Sequence, residues 1–295
     1  MKQEIIDLFD KYTHAAMPRR AFFQKLTVLA GSTAAATALL PLLKNSYVQA
    51  SVVSEDDPQL STEWITYPGA SGDMSGYLAK PSDTTGKLPA IIVIHENRGL
   101  NPHIQDVTRR AALQGYVALA PDFLSPSGGT PEDEDRAREM INALDSQQTL
   151  HNLQATLEFL QNRSDTTNKV GCVGFCWGGG LTNQLAVSAP DLSAAVAFYG
   201  SIPIIDLVPN IHSPLLLHYA GLDERINQGI PAYEAALRTS GKDYTISMYA
   251  NVNHAFHNDT NQARYNEEAA KLAWERTVAF FNHYLKVEDT VAAPS

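Results

Sequence analysis

After residue 60, the chain alternates between short apolar runs of strand length and longer segments with helical periodicity. Two alternating stretches, TEWITYP and MSGYLAKP, flank Gly72 and Asp73 and predict an opening hairpin. Later runs such as LPAIIVIHE and KVGCVGF are continuously apolar, which is typical of strands buried on both faces of a parallel sheet. The alternation therefore predicts a three-layer α/β fold with a mostly parallel central sheet.

Helix boundaries are indicated by caps and stops between the apolar runs. Gly115 is placed to stop the helix HIQDVTRRAALQG, and Thr130 and Pro131 predict a cap and first position for TPEDEDRAREMINAL. Further helices are predicted at TLHNLQATLEFLQN, GGGLTNQLAVSA, IPAYEAALRTSG and RYNEEAAKLAWERTVAFFNHYL. Further strands are predicted at YVALAP, AAVAFYG, SPLLLHYA and YTISMYA.

The first fifty residues have the features of an export leader rather than of the folded domain. Arg19 and Arg20 precede the weakly apolar run LTVLAGSTAAATALLPLL, and the small residues Val48 and Ala50 suit a signal peptidase. The arginine pair indicates the twin-arginine (Tat) route, hence a periplasmic or secreted protein without a stable membrane anchor. The alternative is an amphipathic N-terminal helix on a cytoplasmic protein. We therefore predict a leader at 1–50 and a single catalytic domain at 51–295.

The predicted domain is strongly acidic. Residues 1–50 carry six Lys and Arg against three Asp and Glu, and the whole chain has a net charge of −10, so the remainder carries −13. Such a domain repels nucleic acid and anionic lipid surfaces. The expected partners are a small-molecule substrate and, if the leader functions, the Tat export machinery.

The two cysteines, Cys172 and Cys176, are too few for a disulfide framework. If KVGCVGF is a strand, the four residues from Cys172 to Cys176 separate the two α carbons by about 13 Å. A disulfide requires less than about 7 Å. We therefore expect no bridge and predict that Cys172 is a small buried core residue.

Ligands of such sheets bind beyond the carboxyl ends of the strands. Cys176 lies there, between the strand KVGCVGF and a glycine-rich helix, in the sequence GFCWGGG. A tight strand-to-helix turn between the small residues Gly174 and Gly178 would display the thiol at a helix N-terminus, where thiolate is favoured. The backbone N–H of Trp177 could hold an oxyanion. A buried cysteine in a glycine-rich turn is the alternative.

Two further residues follow later strands. Asp223 follows SPLLLHYA, and His254 follows YTISMYA. Singly, each is more simply a loop or cap residue. Together with Cys176 they occur in the chain order nucleophile, acid, histidine that α/β-hydrolases use. An imidazole accepts the thiol proton, and a carboxylate fixes its tautomer. The ordered set predicts a catalytic triad in an α/β-hydrolase fold.

A fourth group follows the first buried strand, in the sequence HENRGLN. Glu96 lies where α/β-hydrolases build the second half of the oxyanion hole, here predicted from the Asn97 N–H. A salt bridge from Glu96 to Arg98 or Arg225 is the alternative.

With these pieces in place, the chain resembles the dienelactone hydrolase (carboxymethylenebutenolidase) family. The resemblance covers residues 60 to 285. It is carried by ENRGLN at 96–101, GYVALAPDF at 115–123, GFCWGG at 174–179, FYG at 198–200, GLD at 221–223 and NHAF at 253–256.

The resemblance implies a role for each matching residue. Cys176 matches the nucleophile, His254 the base and Asp223 its orienting acid. Glu96 matches a glutamate that holds the resting thiol and helps to generate the thiolate. Members of the family open lactones or cleave esters through an acyl-thioester, without metal or organic cofactor.

The chain also departs from the family. Two arginines hold the substrate carboxylate in dienelactone enzymes, and Asn258 and Pro126 stand at the corresponding positions here. A neutral side chain cannot make the charge-assisted bidentate bond of an arginine. We therefore expect the hydrolytic chemistry to persist on a substrate other than dienelactone.

Other functions are compatible with parts of the sequence. The pair Cys172 and Cys176 could cycle a disulfide, or the fold could serve as a binding module without catalysis. A metal site is conceivable from His95, Glu96, His103, His254 and His257, although their spacings match no zinc pattern. Trp177, Tyr199, Phe256 and the loop 124–131 are predicted to shape the pocket, although these residue types fit core packing just as well.

Overall fold

The computed structural model of the chain describes residues 1–15, 17–47 and 51–286. Within these residues, eight strands form one sheet in the order β1-β2-β4-β3-β5-β6-β7-β8. They are β1 (Leu60–Gly69), β2 (Gly72–Pro81), β3 (Leu88–Ile94), β4 (Val117–Asp122), β5 (Thr166–Phe175), β6 (Ala194–Phe198), β7 (Leu215–Ala220) and β8 (Tyr244–Tyr249).

The sheet is mostly parallel. β1 and β2 form the predicted hairpin, and β2 pairs antiparallel with β4, whereas every later pairing is parallel. β5 occupies the centre, with Cys172 paired to Ile92 of β3 and to Ala195 of β6. The carboxyl ends of β3, β5, β7 and β8 therefore share one edge of the sheet, and the residues that follow them converge there.

Helices cover both faces of the sheet and complete the three predicted layers. α4 and α10 pack on one face, and α6, α7 and α9 pack on the other. The helices are α1 (Gln3–His14), α2 (Arg19–Ala30), α3 (Thr33–Leu43), α4 (Pro102–Leu113), α5 (Glu134–Asn142), α6 (Ser146–Gln161), α7 (Trp177–Ser188), α8 (Glu224–Asn227), α9 (Ile230–Thr239) and α10 (Glu267–Leu285).

The predicted start of α5 is wrong. The helix begins at Glu134, capped by the Asp133 side chain, and not at Pro131 with Thr130 as cap. Thr130 is instead held by Asp122, which accepts hydrogen bonds from its N–H and its hydroxyl at 2.8 Å each. The Thr130 hydroxyl in turn accepts the Leu100 N–H at 3.0 Å. These contacts fix the loop after β4 and delay the helix by one turn.

The first three helices form a separate apolar cluster against the α/β body. Phe9 and Tyr12 of α1 pack on Phe22 and Leu26 of α2. Within the described ranges, no single helix is long and apolar enough to cross a membrane, whereas α2 and α3 together meet that length and composition across a 113° bend. Val48 and Ala50 of the predicted cleavage site lie outside the described residues.

Candidate active site

Cys176 occupies a strained turn between β5 and α7. Its φ is 56°, a left-handed conformation that is unusual for a residue with a side chain. The two flanking glycines make this turn possible. A Cβ on Gly174 would lie 2.1 Å from the Gly178 carbonyl oxygen, and a Cβ on Gly178 would lie 2.5 Å from the His95 carbonyl oxygen. The chain therefore has to carry glycine at both positions to place a thiol here.

His254 and Asp223 meet at the same edge of the sheet. The His254 Nδ1 donates to the Asp223 carboxylate over 2.5 Å, and both side chains are buried. Burial opposes ionisation of Asp223, yet the charge and hydrogen bond of His254 hold the pKa of that carboxyl below its usual value. Burial alone would lower the pKa of His254, but the charges of Asp223 and Cys176 and the hydrogen bond to Asp223 raise it to about 9. The arrangement favours an imidazolium beside the thiol.

The two cysteines differ sharply in environment. Both are free, and Cys172 is fully buried in the core, as predicted, with its sulfur 3.5 Å from the Thr182 hydroxyl. Burial raises the pKa of the Cys172 thiol to about 12. Cys176 instead lines a cavity with His254. Of the two thiols, only Cys176 has both a histidine neighbour and access to a cavity.

Glu96 lies in the wall of that cavity and accepts a hydrogen bond from Asn258 Nδ2 at 2.6 Å. The alternative prediction, a salt bridge from Glu96 to Arg98 or Arg225, is wrong. Arg98 pairs with Glu134 at 2.8 Å, and Arg225 lies 3.6 Å from Asp10. Asn258, which stands where the family pattern has an arginine, thus holds the Glu96 carboxylate by a hydrogen bond. Pro126 lies in a short 3₁₀ turn, Ser125–Ser127.

The two residues predicted to donate to an oxyanion, Trp177 and Asn97, have different surroundings. Trp177 is the first residue of α7, so its N–H belongs to the unpaired first turn of that helix. Asn97 lines the cavity, and its side-chain Nδ2 donates to the Thr13 carbonyl oxygen at 2.9 Å. The Trp177 indole points elsewhere and stacks on His95 with ring centroids 5.2 Å apart.

The predicted pocket-shaping side chains are mostly core residues. Tyr199 and Phe256 are fully buried, and Tyr199 packs against the His254 ring at 4.9 Å between centroids. Leu124 belongs to a small apolar cluster with α5. None of these lines the cavity at Cys176, whose walls come from Glu96, Asn97, Arg98, Arg264 and α1. For Tyr199 and Phe256 the alternative of core packing is therefore the correct one.

A residue that sequence reasoning missed lies against the thiol. The Nε2 of His14, the last residue of α1, is 3.2 Å from the Cys176 Sγ, and its ring lies edge-on to His254 with centroids 4.6 Å apart. The Nδ1 of His14 lies 3.0 Å from the Asp10 carboxylate. Nothing in the sequence around His14 distinguishes it from an ordinary residue of an amphipathic helix.

Asp10 also faces two arginines of the α/β body. Its carboxylate lies 3.6 Å from Arg225 and 3.9 Å from Arg264. Burial opposes its ionisation, but the hydrogen bond from His14 and the charges of His254, His14 and Arg264 hold the pKa of Asp10 well below its usual value. Asp10 therefore ties the end of α1 to the body through charge.

Further contacts dock the N-terminal helices beside the site. The Tyr12 hydroxyl donates to Asp135 at 3.0 Å, and the Arg138 guanidinium lies 4.3 Å above the Tyr12 ring. Asn261 donates to the Leu43 carbonyl oxygen at 2.8 Å. With α1 in place, the cavity at Cys176 measures about 10 Å³. That volume is the size of one water molecule, so an ester substrate can enter only when α1 moves away from Cys176.

The metal ligands suggested by the sequence are not brought together. His103 pairs with Asp259 at 2.9 Å, and His95 contacts the Glu96 carbonyl oxygen at 2.7 Å. His257 is buried against Phe175. Among the described residues, the grouping of three potential ligands is His14, Cys176 and His254, a different set.

Comparison with known proteins decides the family. The sequence model of the dienelactone hydrolase family matches residues 74–285. The chain belongs to the dienelactone hydrolase family. As members of this family do, it has an α/β-hydrolase fold and is a hydrolase of ester or lactone bonds. The match begins within β2, so α1, α2 and α3 lie outside it.

Similar proteins align with about three quarters of this chain. A Yersinia pestis protein named "Putative carboxymethylenebutenolidase" is 32% identical over 234 residues, which are 74% of this chain and 87% of that protein. A Saccharolobus solfataricus protein of the same name is 33% identical over 258 residues, covering 75% and 98% respectively. A crystal structure of a "Putative Dienelactone Hydrolase" from Klebsiella pneumoniae is 30% identical with a TM-score of 0.70, covering 76% of this chain and 99% of that one.

Proposed function

We propose that this dienelactone hydrolase family member is a cysteine hydrolase that cleaves a small ester or lactone through an acyl-thioester. The observation that carries the proposal is the contact of His254 with Asp223 beside Cys176, with the pKa of His254 raised to about 9. Below that pH the imidazole holds a proton. We expect His254 to hold the proton that the Cys176 thiol gives up when it attacks.

The proposed reaction has two halves. The Cys176 thiolate attacks the carbonyl carbon, and the oxyanion is held by backbone N–H groups, for which Trp177 and Asn97 are the candidates. Collapse of the tetrahedral species expels the alkoxide, which takes the proton of the His254 imidazolium and leaves an acyl-thioester. His254, now neutral, removes a proton from water, and the hydroxide attacks the thioester. Loss of thiolate releases the acid and restores the ion pair.

Asp223 and Glu96 have supporting roles in this scheme. Asp223 fixes His254 with Nδ1 protonated and stabilises its positive charge. Glu96 contributes a carboxylate to the cavity wall, held by Asn258. Because Asn258 is engaged by Glu96 and carries no charge, a substrate carboxylate has no bidentate cation at this position. We therefore assign an ester or lactone other than dienelactone as the substrate class.

The test compares hydrolysis of short p-nitrophenyl esters and small lactones by the wild type, C176A and C172A. Loss of turnover in C176A with turnover retained in C172A is the expected result. Both variants remove one thiol, but only Cys176 lines the cavity, so the pair separates chemistry from general damage. Equal turnover by wild type and C176A would refute the cysteine mechanism.

We also propose that residues 1–50 act as a Tat leader, which makes the protein periplasmic or secreted. Arg19 and Arg20 begin α2 and are exposed to solvent, as an export receptor requires. The apolar pair α2 and α3 follows directly. Cleavage after Ala50 would remove α1 and open the cavity at Cys176. Fractionation of cells expressing the wild type and the double variant R19K/R20K, with N-terminal sequencing, tests this. An unprocessed cytoplasmic protein in both would refute it.

A further inference from the structure

Three potential metal ligands from distant parts of the chain converge at the cavity. One ring nitrogen each of His14 and His254 and the Sγ of Cys176 lie within 4.8 Å of one another. The His14 Nε2 and the Cys176 Sγ are 3.2 Å apart. In a tetrahedral zinc site with bonds near 2.0 Å to nitrogen and 2.3 Å to sulfur, such ligand atoms are about 3.5 Å apart. The observed spacing is close to the one that an ion would require.

Both histidines are oriented as metal-binding histidines usually are. His254 donates from Nδ1 to the Asp223 carboxylate at 2.5 Å. The Nδ1 of His14 is hydrogen-bonded to the Asp10 backbone carbonyl oxygen at 2.9 Å and lies 3.0 Å from the Asp10 carboxylate. In zinc proteins a carboxylate or a backbone carbonyl commonly accepts the second ring N–H, fixing the tautomer that leaves the other nitrogen free to coordinate. Both histidines therefore have a supporting contact of the kind that metal-binding histidines make.

The remaining ring nitrogen of His254 lacks a hydrogen-bonding partner. Its Nε2 makes no hydrogen bond to any of the described residues. Because His254 is only 4% exposed, solvent does not supply a partner either. A buried polar atom without a partner is uncommon and points to a ligand that this nitrogen can bind. The cavity lined by the same three residues measures about 10 Å³, which is room for one small species.

Charged side chains surround the cavity. Arg98 and Arg264 line it, but Arg98 is paired with Glu134 at 2.8 Å, and Arg264 lies 3.9 Å from Asp10. Glu96 adds a carboxylate to the wall, and Asp223 lies behind His254. Two imidazoles and a thiolate prefer a borderline-soft ion such as Zn²⁺ or Co²⁺ and disfavour Mg²⁺ and Ca²⁺.

We infer that His14, Cys176 and His254 form a binding site for one zinc-like divalent cation, with water in the fourth position. Because His14 belongs to α1, the ion fastens this helix over Cys176 in the chain that retains residues 1–50. A coordinated Cys176 sulfur is not free to attack a carbonyl, so zinc inhibits this uncleaved form and a chelator relieves that inhibition. The binding claim is independent of the proposed cysteine mechanism.

The test titrates Co²⁺ into the full, metal-stripped chain and follows absorption. Thiolate coordination adds a near-ultraviolet charge-transfer band, and four-coordinate geometry adds visible bands. We expect both in the wild type, with the charge-transfer band absent in C176S. Loss of a ligand in H14Q should weaken binding by at least ~100-fold, and loss of its supporting carboxylate in D10N by ~10- to 100-fold.

His212, exposed on the surface, supplies the matched control, and H212Q should bind as the wild type does. Circular dichroism confirms that each variant is folded, and D10N keeps the test decisive if H14Q is not. Absence of the charge-transfer band in the wild type, or equal Co²⁺ affinity of the wild type and the folded His14 or Asp10 variant, would overturn the site. Since absorption is independent of turnover, failure here leaves the C176A comparison intact, and the converse also holds.

Discussion

Replacing His14 with alanine should open the active site. Cys176 is 7% exposed, and the cavity beside it admits little more than a water molecule, so an alkylating reagent reaches the thiol only after α1 moves away. The observed alkylation rate is then the intrinsic rate multiplied by the opening equilibrium. Residue 14 enters that equilibrium because its ring contacts the thiol across the boundary between α1 and the α/β body.

The size of the effect follows from the hydrogen bonding of the His14 ring. H14A removes the hydrogen bond between the His14 Nε2 and the Cys176 Sγ, and such a bond contributes about 0.5–1.5 kcal/mol. Asp10 keeps Arg225 and Arg264 as neighbours, so no isolated charge is left behind. Since 1.4 kcal/mol is a factor of ten, opening should become about 2- to 12-fold more frequent.

The assay is iodoacetamide labelling of Cys176, followed by peptide mass spectrometry in the presence of a chelator, so that metal release cannot explain the result. Ester hydrolysis should increase in parallel. H212A, at an exposed histidine remote from the cavity, is the control. Equal labelling rates in wild type and H14A would show that His14 does not restrict access.

Three further variants test the turn, the ion pair and the core. G178A should lower the free energy of unfolding by ~3 kcal/mol or more, because the new Cβ would meet the His95 carbonyl oxygen. G86A is the control, since a Cβ there meets no other atom. Similar melting temperatures for the two variants would contradict this. D223N should lower the pKa of His254 from about 9, as measured by NMR titration, because the Asp223 charge and hydrogen bond are lost. It should also reduce ester turnover by about 10⁴-fold. An unmoved pKa refutes the coupling. Burial lowers the pKa of His218 to about 3, so the unfolded state binds the extra proton and stability falls as pH decreases from about 6.5 towards 3. In H218Q, the free energy of unfolding measured with urea should depend less steeply on pH in this range. An unchanged dependence on pH would disprove the lowered pKa of His218.

The sequence was most informative where function depends on strand order. Cys176, Asp223 and His254 each follow a strand of a parallel sheet, and the carboxyl ends of those strands lie at one edge. Their convergence could be predicted without knowing any side-chain contact. The glycine spacing around Cys176 was equally predictive, because only glycine fits at 174 and 178.

Contacts between distant segments could not be inferred from local pattern. Asn258 stands where the family pattern has an arginine, but in the structure it holds Glu96. Thr130 has the sequence features of a helix cap, but Asp122 holds it before the helix begins. The position of His14 depends on how α1 docks through Tyr12 onto α5, and amphipathic periodicity does not specify a docking partner.

The most direct test of the cysteine mechanism is to identify the acylated atom during turnover. The protein, with α1 opened by H14A, is mixed with a slowly hydrolysed ester, quenched in acid and digested for mass spectrometry. We predict an acyl group on the Cys176 peptide that appears and decays with turnover, with none on Cys172. Turnover without any acylated Cys176 at the quench, or with the acyl group on another residue, would contradict the account.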